Sequence, residues 1–341
     1  MNINDPPPLI PNIDGEFATN IDLDDGVLAI GEPGNDQLAF NAGVAHLYDV
    51  DDLMLGYQKT IGYTVEPIAD SIGDFLCHAI ALQGETLVCG SPHRDSPTRD
   101  CVGGARVFDV NSGELLHTLN NPNPATCDLY GVAVALHNDK VIVGSGFADA
   151  DIGAAENSAS VGEASLYDVV TGQLLHIFSN PGGNSGTEGD FFGGFRDGDS
   201  IAMNDKVIVI GAPEKDVEGS REVGVVYIYN ANSFDLIQTL SVPDNPIFPQ
   251  FDKFGYSVEL SGDYLAIAAI SGDKYDASGS NIIDYSAGKV YVYKLKFVDP
   301  AVIYPIPVPY WLLLSYMLLV ALSGVTRLVI RERQSPGKSS R

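Results

Sequence analysis

GVAHLYDV (residues 43–50) is the first of five related stretches that decide the fold of this chain. It is followed by GGARVFDV at 103–110, GEASLYDV at 162–169, GVVYIYNA at 224–231 and GKVYVYKL at 288–295, so the leading glycines lie 60, 59, 62 and 64 residues apart. Self-similarity at this period indicates stacked supersecondary units rather than a globular enzyme with one active site. We therefore expect function on the surfaces between and above the repeats.

Each repeat contains four apolar segments. The first follows an aromatic residue, at Phe17, Phe75, Tyr130 and Phe254 and less regularly at Phe191. The second, exemplified by KVIVIGAP at 206–213, is a continuous apolar run typical of a strand buried on both faces. The third is the stretch quoted above, and the fourth is exemplified by ELLHTLNNP at 114–122.

Short polar links that contain glycine or asparagine, such as Gln83-Gly84, separate the segments and indicate hairpins. Four-stranded antiparallel meanders repeated about an axis are the blades of a propeller. The prediction is an all-β β-propeller with five visible four-stranded blades, or a fragment of a seven-bladed ring, plus one C-terminal transmembrane helix.

Several recurring residues have mechanical explanations. Asp49, Asp109 and Asp168 precede a tight turn, where an aspartate can bond its own backbone. His117 and His176 share one repeat position, which favours packing over catalysis. The glycines that end the second segment lie where neighbouring blades would crowd each other: Gly31, Gly90, Gly144 and Gly211.

Two of these segments carry a resemblance to a known family. Phe254-Gly255 and Gly211-Ala212-Pro213 are similar to the two signatures of bacterial FG-GAP repeats, which are related to the β-propeller of integrin α-subunits. The resemblance covers about residues 14–297, and it implies a propeller, commonly seven-bladed, for extracellular recognition and adhesion. Residues 1–297 form the repeat domain, with approximate repeats at 14–72, 73–127, 128–188, 189–251 and 252–297.

The last repeat has no clear fourth strand after Phe297. Either Asn2–Asn4 supply that strand and close a small ring, or blades are missing upstream.

Integrin-like repeats often bind calcium in a D-x-D-x-D-G loop between the first two strands, through carboxylate oxygens. The corresponding links here are short, and only Asp22, Asp24 and Asp25 before Gly26 form a comparable cluster, with different spacing. They are the metal candidates. Two acidic connections, at 214–222 and 273–284, are candidates for loose cation binding. No other cofactor is expected.

The C-terminal region predicts a membrane anchor. A Pro-rich linker at 298–309 precedes an apolar segment at 310–330, and 21 helical residues would span about 31 Å, the thickness of a bilayer core. Tyr310 and Trp311 suit one membrane interface and Arg327 the other, while Arg331 and Arg333 begin a basic tail at 331–341. The positive-inside rule places this tail in the cytoplasm and the repeats outside. The region is similar to PEP-CTERM sorting signals, although the Pro-Glu-Pro motif is absent.

An exported body requires a signal peptide, yet MNINDPPPLIPNIDGEF has neither a basic nor an apolar region of that kind. We expect a truncated start, because Ile3–Pro8 resembles Leu119–Pro124 at the end of a later repeat.

The four cysteines, Cys77, Cys89, Cys101 and Cys127, all lie in one repeat, and an even number in an exported chain permits two disulfides. In a meander, Cys101 and Cys127 lie in connections on the same face, which predicts a Cys101–Cys127 bond. Cys77 and Cys89 lie near the same end of adjacent strands, either bonded or as buried thiols. The absence of C-x-x-C spacing argues against zinc.

Charge and missing motifs narrow the function. Residues 302–341 contribute +4 to a net charge of -26, so the rest of the chain carries -30 and would repel nucleic acid. No G-x-S-x-G, H-E-x-x-H or P-loop motif occurs, and no catalytic residue is assigned.

The first hypothesis is a membrane-anchored, non-catalytic propeller that binds a protein or glycan. The alternatives are a polysaccharide hydrolase with a carboxylate pair in the channel, and a structural surface-layer protein.

Overall fold

The computed structural model describes residues 16–50, 57–62, 72–148, 160–183, 189–195, 199–242, 251–271, 274–275, 282–284, 288–298, 302–303 and 306–307. These residues form an all-β propeller of five blades, as the repeats predict. In each of the five four-stranded sheets, neighbouring strands are antiparallel.

The first four blades each contain four strands that pair in chain order. Their bounds are β1 (Ile21–Asp24), β2 (Val27–Glu32), β3 (Val44–Asp49) and β4 (Tyr57–Ile61); β5 (Ile80–Gln83), β6 (Thr86–Ser91), β7 (Gly104–Asp109) and β8 (Leu115–Asn120); β9 (Ala133–His137), β10 (Lys140–Ser145), β11 (Glu163–Asp168) and β12 (Leu174–Ser179); β13 (Ile201–Met203), β14 (Val207–Ala212), β15 (Val225–Asn230) and β16 (Leu236–Ser241).

The fifth blade contains β17 (Phe254–Ser261), β18 (Tyr264–Ala269), β21 (Lys289–Lys294) and β24 (Ile306–Pro307). Two short pairs lie outside this sheet: β19 (Lys274–Tyr275) with β20 (Ile282–Asp284), and β22 (Phe297–Val298) with β23 (Val302–Ile303). The outermost strand β24 therefore comes from the segment predicted to be a Pro-rich linker. A proline is tolerated there because an edge strand has a side without a partner. Asn2–Asn4, the predicted source of this strand, lie outside the described residues.

Hydrophobic clusters fill the four junctions between consecutive blades. Each inner blade is covered on both faces, which is why β14 is buried along its whole length and reads as an unbroken apolar run. The innermost strands β1, β5, β9, β13 and β17 surround a central channel.

Glycines allow the blades to approach each other closely. A Cβ atom on Gly31, Gly90, Gly144 or Gly211 would collide with a backbone carbonyl oxygen of the following blade, contributed by Cys77, Gly131, Gly193 and Gly255 respectively. The predicted crowding at the end of the second strand is confirmed. The two halves of the Phe-Gly and Gly-Ala-Pro pattern are thus partners across a blade junction.

A second backbone contact shows that the first segments of blades 2 and 4 begin one residue later than the sequence predicted. Tyr130 N donates to Val102 O at 3.1 Å, and Phe254 N donates to Val223 O at 3.0 Å. The residues that make the same bond in blades 2 and 4 are Leu76 and Phe192, not the predicted Phe75 and Phe191. The position is defined by its backbone bond to the preceding blade, so a leucine can occupy it in place of an aromatic residue.

No helix within the described part of the chain is long and apolar enough to cross a membrane. The predicted helix at 310–330 and the basic tail at 331–341 lie outside that part.

Candidate functional site

The two faces of the propeller differ in the length of their connections. On one face, which we call the turn face, the first and second strands are joined by short turns, such as 84–85 and 138–139. The other face carries the connections from the second to the third strand, such as 92–103 and 213–224, and the connections to the next blade. We call it the loop face. Long connections on a fixed scaffold make it the candidate recognition surface.

Four buried aspartates organise the loop face: Asp74, Asp128, Asp190 and Asp252, each 1% exposed. They occupy one repeat position, in Asp-Phe-Leu-Cys, Asp-Leu-Tyr-Gly, Asp-Phe-Phe-Gly and Asp-Lys-Phe-Gly. They were not among the residues predicted from the sequence, although each aspartate stands three residues before the recurring glycine or cysteine.

Two of these carboxylates hold the loops by hydrogen bonds, Asp128 within one connection and Asp190 also to a neighbouring loop. The Asp128 carboxylate accepts hydrogen bonds from Asn121 Nδ2 at 2.7 Å and from the backbone N–H of Ala125 at 2.6 Å. The Asp190 carboxylate accepts from Asn180 Nδ2 at 2.6 Å and pairs with Lys215 Nζ at 2.6 Å. Buried charges persist only when they are paired and hydrogen-bonded in this way. These contacts fix the loops against the blades.

A short backbone ladder repeats where a loop meets the next blade. Leu129 N donates to Cys101 O at 3.2 Å, and the same bond joins Phe75 N to Asn41 O at 3.0 Å and Lys253 N to Glu222 O at 3.1 Å. In the second repeat the ladder also carries a Cys101–Cys127 disulfide. Cys77 and Cys89, for which a bond and buried thiols were both left open, form a second disulfide in the structure.

Aromatic rings are partly open to solvent on the loop face. Phe40 is 65% exposed, and the Arg221 guanidinium lies 5.6 Å from the ring centre of the exposed Phe251. Phe191 packs edge-on against Phe147 and Phe195, with ring centres 4.8 and 4.6 Å apart. Lys253 Nζ lies 4.8 Å from the centre of the Phe195 ring. Aromatic and arginine side chains are enriched in recognition surfaces.

The central channel is a second candidate site. It encloses a cavity of about 390 Å³ lined by the five innermost strands, and Asp22, Asp199 and Glu259 contribute carboxylates to it. Burial raises the pKa of Asp199, against a hydrogen bond from Asn20, and the charge of Asp22 raises it further. Desolvation raises the pKa of Glu259, and the charges of Asp22 and Asp199 add to the effect. The channel therefore concentrates negative charge.

The predicted calcium candidates have structural partners. Asp22 accepts hydrogen bonds from the backbone N–H groups of Leu23 and Leu82, both at 2.7 Å, and Asp24 accepts from Gly84 N at 2.7 Å. Asp25 lies in the turn after β1. Among the described residues, no group of three or more histidines, cysteines or acids could hold a metal ion. Asp22 and Asp24 thus join blade 1 to blade 2.

Two expectations about recurring residues are confirmed. Asp109 accepts from Ser112 N at 2.6 Å, and Asp168 accepts from Thr171 N at 2.7 Å, each capping its turn. His117 Nε2 contacts Val170 O of the next blade at 3.0 Å, and the His176 ring packs on Phe234 of the next blade, 4.9 Å between centres. Both histidines have packing roles.

The predicted anchor residues Tyr310, Trp311, Arg327, Arg331 and Arg333 lie outside the described residues. Neither the models of known protein families nor the curated proteins include a match to this chain.

Proposed function

We propose that this chain is a non-catalytic recognition protein of FG-GAP type that binds a protein or glycan through its loop face. The observation that carries the proposal is the set of long connections on one face, held by buried aspartates and a disulfide and bearing exposed aromatic rings. A surface that is already ordered loses little conformational entropy when it binds a partner.

We also propose that the propeller is displayed outside the cytoplasm and anchored by the segment at 310–330, as in proteins with PEP-CTERM-type signals. Support comes from the apolar composition of that segment, from the arginines that follow it, and from two disulfides, which persist in oxidising compartments. The propeller would then lie at the cell surface or in the periplasm, and its accessibility to protease in spheroplasts tests the orientation. Protection of the propeller until the spheroplasts are lysed would contradict it.

The test of recognition uses arrays of glycans and of extracellular proteins, probed with the purified chain. We expect a ligand whose affinity falls about tenfold or more when Phe40 and Phe251 are both changed to alanine, since aromatic anchors dominate interfaces. Val170→Ala is the matched control, because Val170 is an exposed apolar residue on the turn face. Equal loss in the control would contradict the proposal.

The channel supports a second candidate function, hydrolysis of a polysaccharide. The specific observation is the raised pKa of Asp199 and Glu259 beside Asp22, because glycoside hydrolysis uses one protonated and one ionised carboxyl group. Release of reducing ends from a polysaccharide panel, abolished by Glu259→Gln, would favour this candidate over the first. Unchanged release in that variant would trace the activity to another source.

A further inference from the structure

Blade 5 lacks the glycine that the other four blades use at their junctions. Ala268 occupies the position of Gly211, since Ala268 pairs with Val290 as Gly211 pairs with Val226. At the four glycine positions a Cβ atom would strike the following blade. No other blade can therefore pack on blade 5 by the same close backbone contact.

The third-strand glycine of blade 5 shows the same difference. A Cβ atom on Gly43, Gly103, Gly162 or Gly224 would collide with the backbone of the following blade. On Gly288 the nearest atom would be Ile270 O, within the same blade and 3.4 Å away. The hydrophobic clusters of the described residues likewise span the four other junctions but not the one from blade 5 to blade 1. We call this junction the seam.

Aliphatic side chains are exposed on both walls of the seam. On blade 1, Ile21 is 59% and Leu23 is 58% exposed, on the face of β1 opposite to Asp22 and Asp24. On blade 5, Val290 is 68% exposed and shares a face with Glu259, Ala266 and Ala268 through the strand register. At the equivalent position of blade 2, Leu82 is buried against blade 1.

The inner end of the seam is acidic. Ile21 and Leu23 line the channel cavity together with Asp22, Asp199 and Glu259. The three carboxylates interact with one another, and nothing basic lines the described part of the cavity except His137, which faces Asp205. A ligand in the seam would thus contact aliphatic side chains of both blades and would lie near carboxylates at the inner end of the seam.

We propose that the seam binds an extended polypeptide segment of a partner protein in which aliphatic and basic side chains alternate. Side chains of an extended chain point to opposite sides at a rise of about 3.3 Å per residue. Its aliphatic side chains contact Ile21, Leu23 and Val290, while its basic side chains reach Glu259, which shares a face with Val290. Charge complementarity selects a peptide of this kind over an acidic one. This inference does not depend on the proposal that the loop face binds a protein or glycan.

The test uses a fluorescein-labelled peptide of four Lys-Val repeats and the full-length chain in nonionic detergent, with binding read by fluorescence anisotropy. We expect saturable binding that weakens at least tenfold in Leu23→Lys and in Glu259→Gln. The matched controls, Val170→Lys on the turn face and Asp139→Asn in an exposed turn, should bind as the unaltered chain does. Urea unfolding of each variant verifies that it is folded, and Val290→Lys provides a second test if Leu23→Lys is not.

Three outcomes would overturn the inference. Equal binding of a peptide of four Glu-Val repeats would show that the carboxylates at the inner end of the seam do not select a basic peptide. Equal loss of binding in the control variants would place the peptide elsewhere. Sedimentation showing a dimer that Val290→Lys converts to a monomer would assign the seam to a second copy of this chain.

Discussion

At the residue scale, single glycines determine whether two blades can touch. Gly144 and Gly211 each face the backbone of a glycine in the next blade, where even a methyl group has no space. Ala268 occupies the same repeat position in blade 5, where this contact is absent. The position is thus a glycine where the next blade packs against it and an alanine where it does not. The chemical difference is one methyl group, and its effect depends on the opposing backbone.

Gly211→Ala should therefore destabilise the propeller by about 3 kcal/mol, the upper end of the usual cost of overpacking. Gly104→Ala is the matched control, because the atoms nearest to its added Cβ would belong to the flexible Arg94 side chain, 3.3 Å away, and the nearest backbone atom, Leu119 O, would be at an ordinary contact distance of 3.7 Å. Urea unfolding followed by circular dichroism measures both. Equal losses would mean that the cost comes from the strand and not from the blade junction.

Asp199 should make stability depend on pH in the acidic range. Its pKa in the folded state is raised above the ordinary value of 3.8, chiefly by burial, so the folded state holds the proton more tightly than the unfolded state. The free energy of unfolding should thus fall as pH rises from below 3.8 through the raised pKa. Asp199→Asn removes this ionisation, so its stability relative to the unaltered chain should increase with pH. Urea unfolding between pH 3 and 7 measures the difference, and parallel profiles would contradict it.

At the scale of elements, the loop connections are held by a ladder that repeats between blades. Its hydrogen bond is the same at four junctions, since Phe191 N donates to Ser160 O at 3.2 Å in the third. Two junctions add a cross-link between side chains: the Cys101–Cys127 disulfide in the second, and the ion pair of Glu222 with Lys253 at 3.4 Å in the fourth. Backbone geometry is thus common to the repeats, while the side-chain cross-links differ between junctions.

Removing the Cys101–Cys127 disulfide by changing both cysteines to serine should cost about 3 kcal/mol. The bond closes a loop with a sequence separation of 26 residues, and its loss frees the unfolded chain. Urea unfolding under non-reducing conditions gives the change. Peptide mapping of the unaltered chain is the control, and four free thiols in that map would remove the basis of the prediction.

At the scale of the whole molecule, the propeller is an array with two unlike ends. Blades 2, 3 and 4 are packed on both faces, whereas blades 1 and 5 each turn one face to the seam, where Ile21, Leu23 and Val290 are exposed. Terminal units of repeat arrays are commonly atypical, because they lack one neighbour.

Backbone amides should accordingly exchange with deuterium at different rates along the array. We expect β10 and β14, central strands of blades with two neighbours, to exchange slowest, and β18 of blade 5 to exchange faster, since fewer contacts must break to open it. Mass spectrometry of peptic fragments measures the rates. Equal protection in β14 and β18 would indicate a seam that is as tightly packed as the other junctions.

The sequence alone determined the five repeats, the strand order of the first four blades and the crowded glycines, because these follow from local alternation and turn chemistry repeated at a nearly constant period. It also indicated that His117 and His176 pack, since they share one repeat position, and each contacts the turn between the third and fourth strands of the next blade.

Only the tertiary structure decided which residues of different blades meet. The aspartates Asp22 and Asp24, named as candidates for a metal site, accept hydrogen bonds from the backbone of blade 2, and Ile306–Pro307 complete blade 5 from a segment without a strand pattern. The channel joins Asp22 and Glu259, which are more than two hundred residues apart in the chain. Local patterns specify each blade, but contacts around the axis depend on where blades lie in space, which no single repeat encodes.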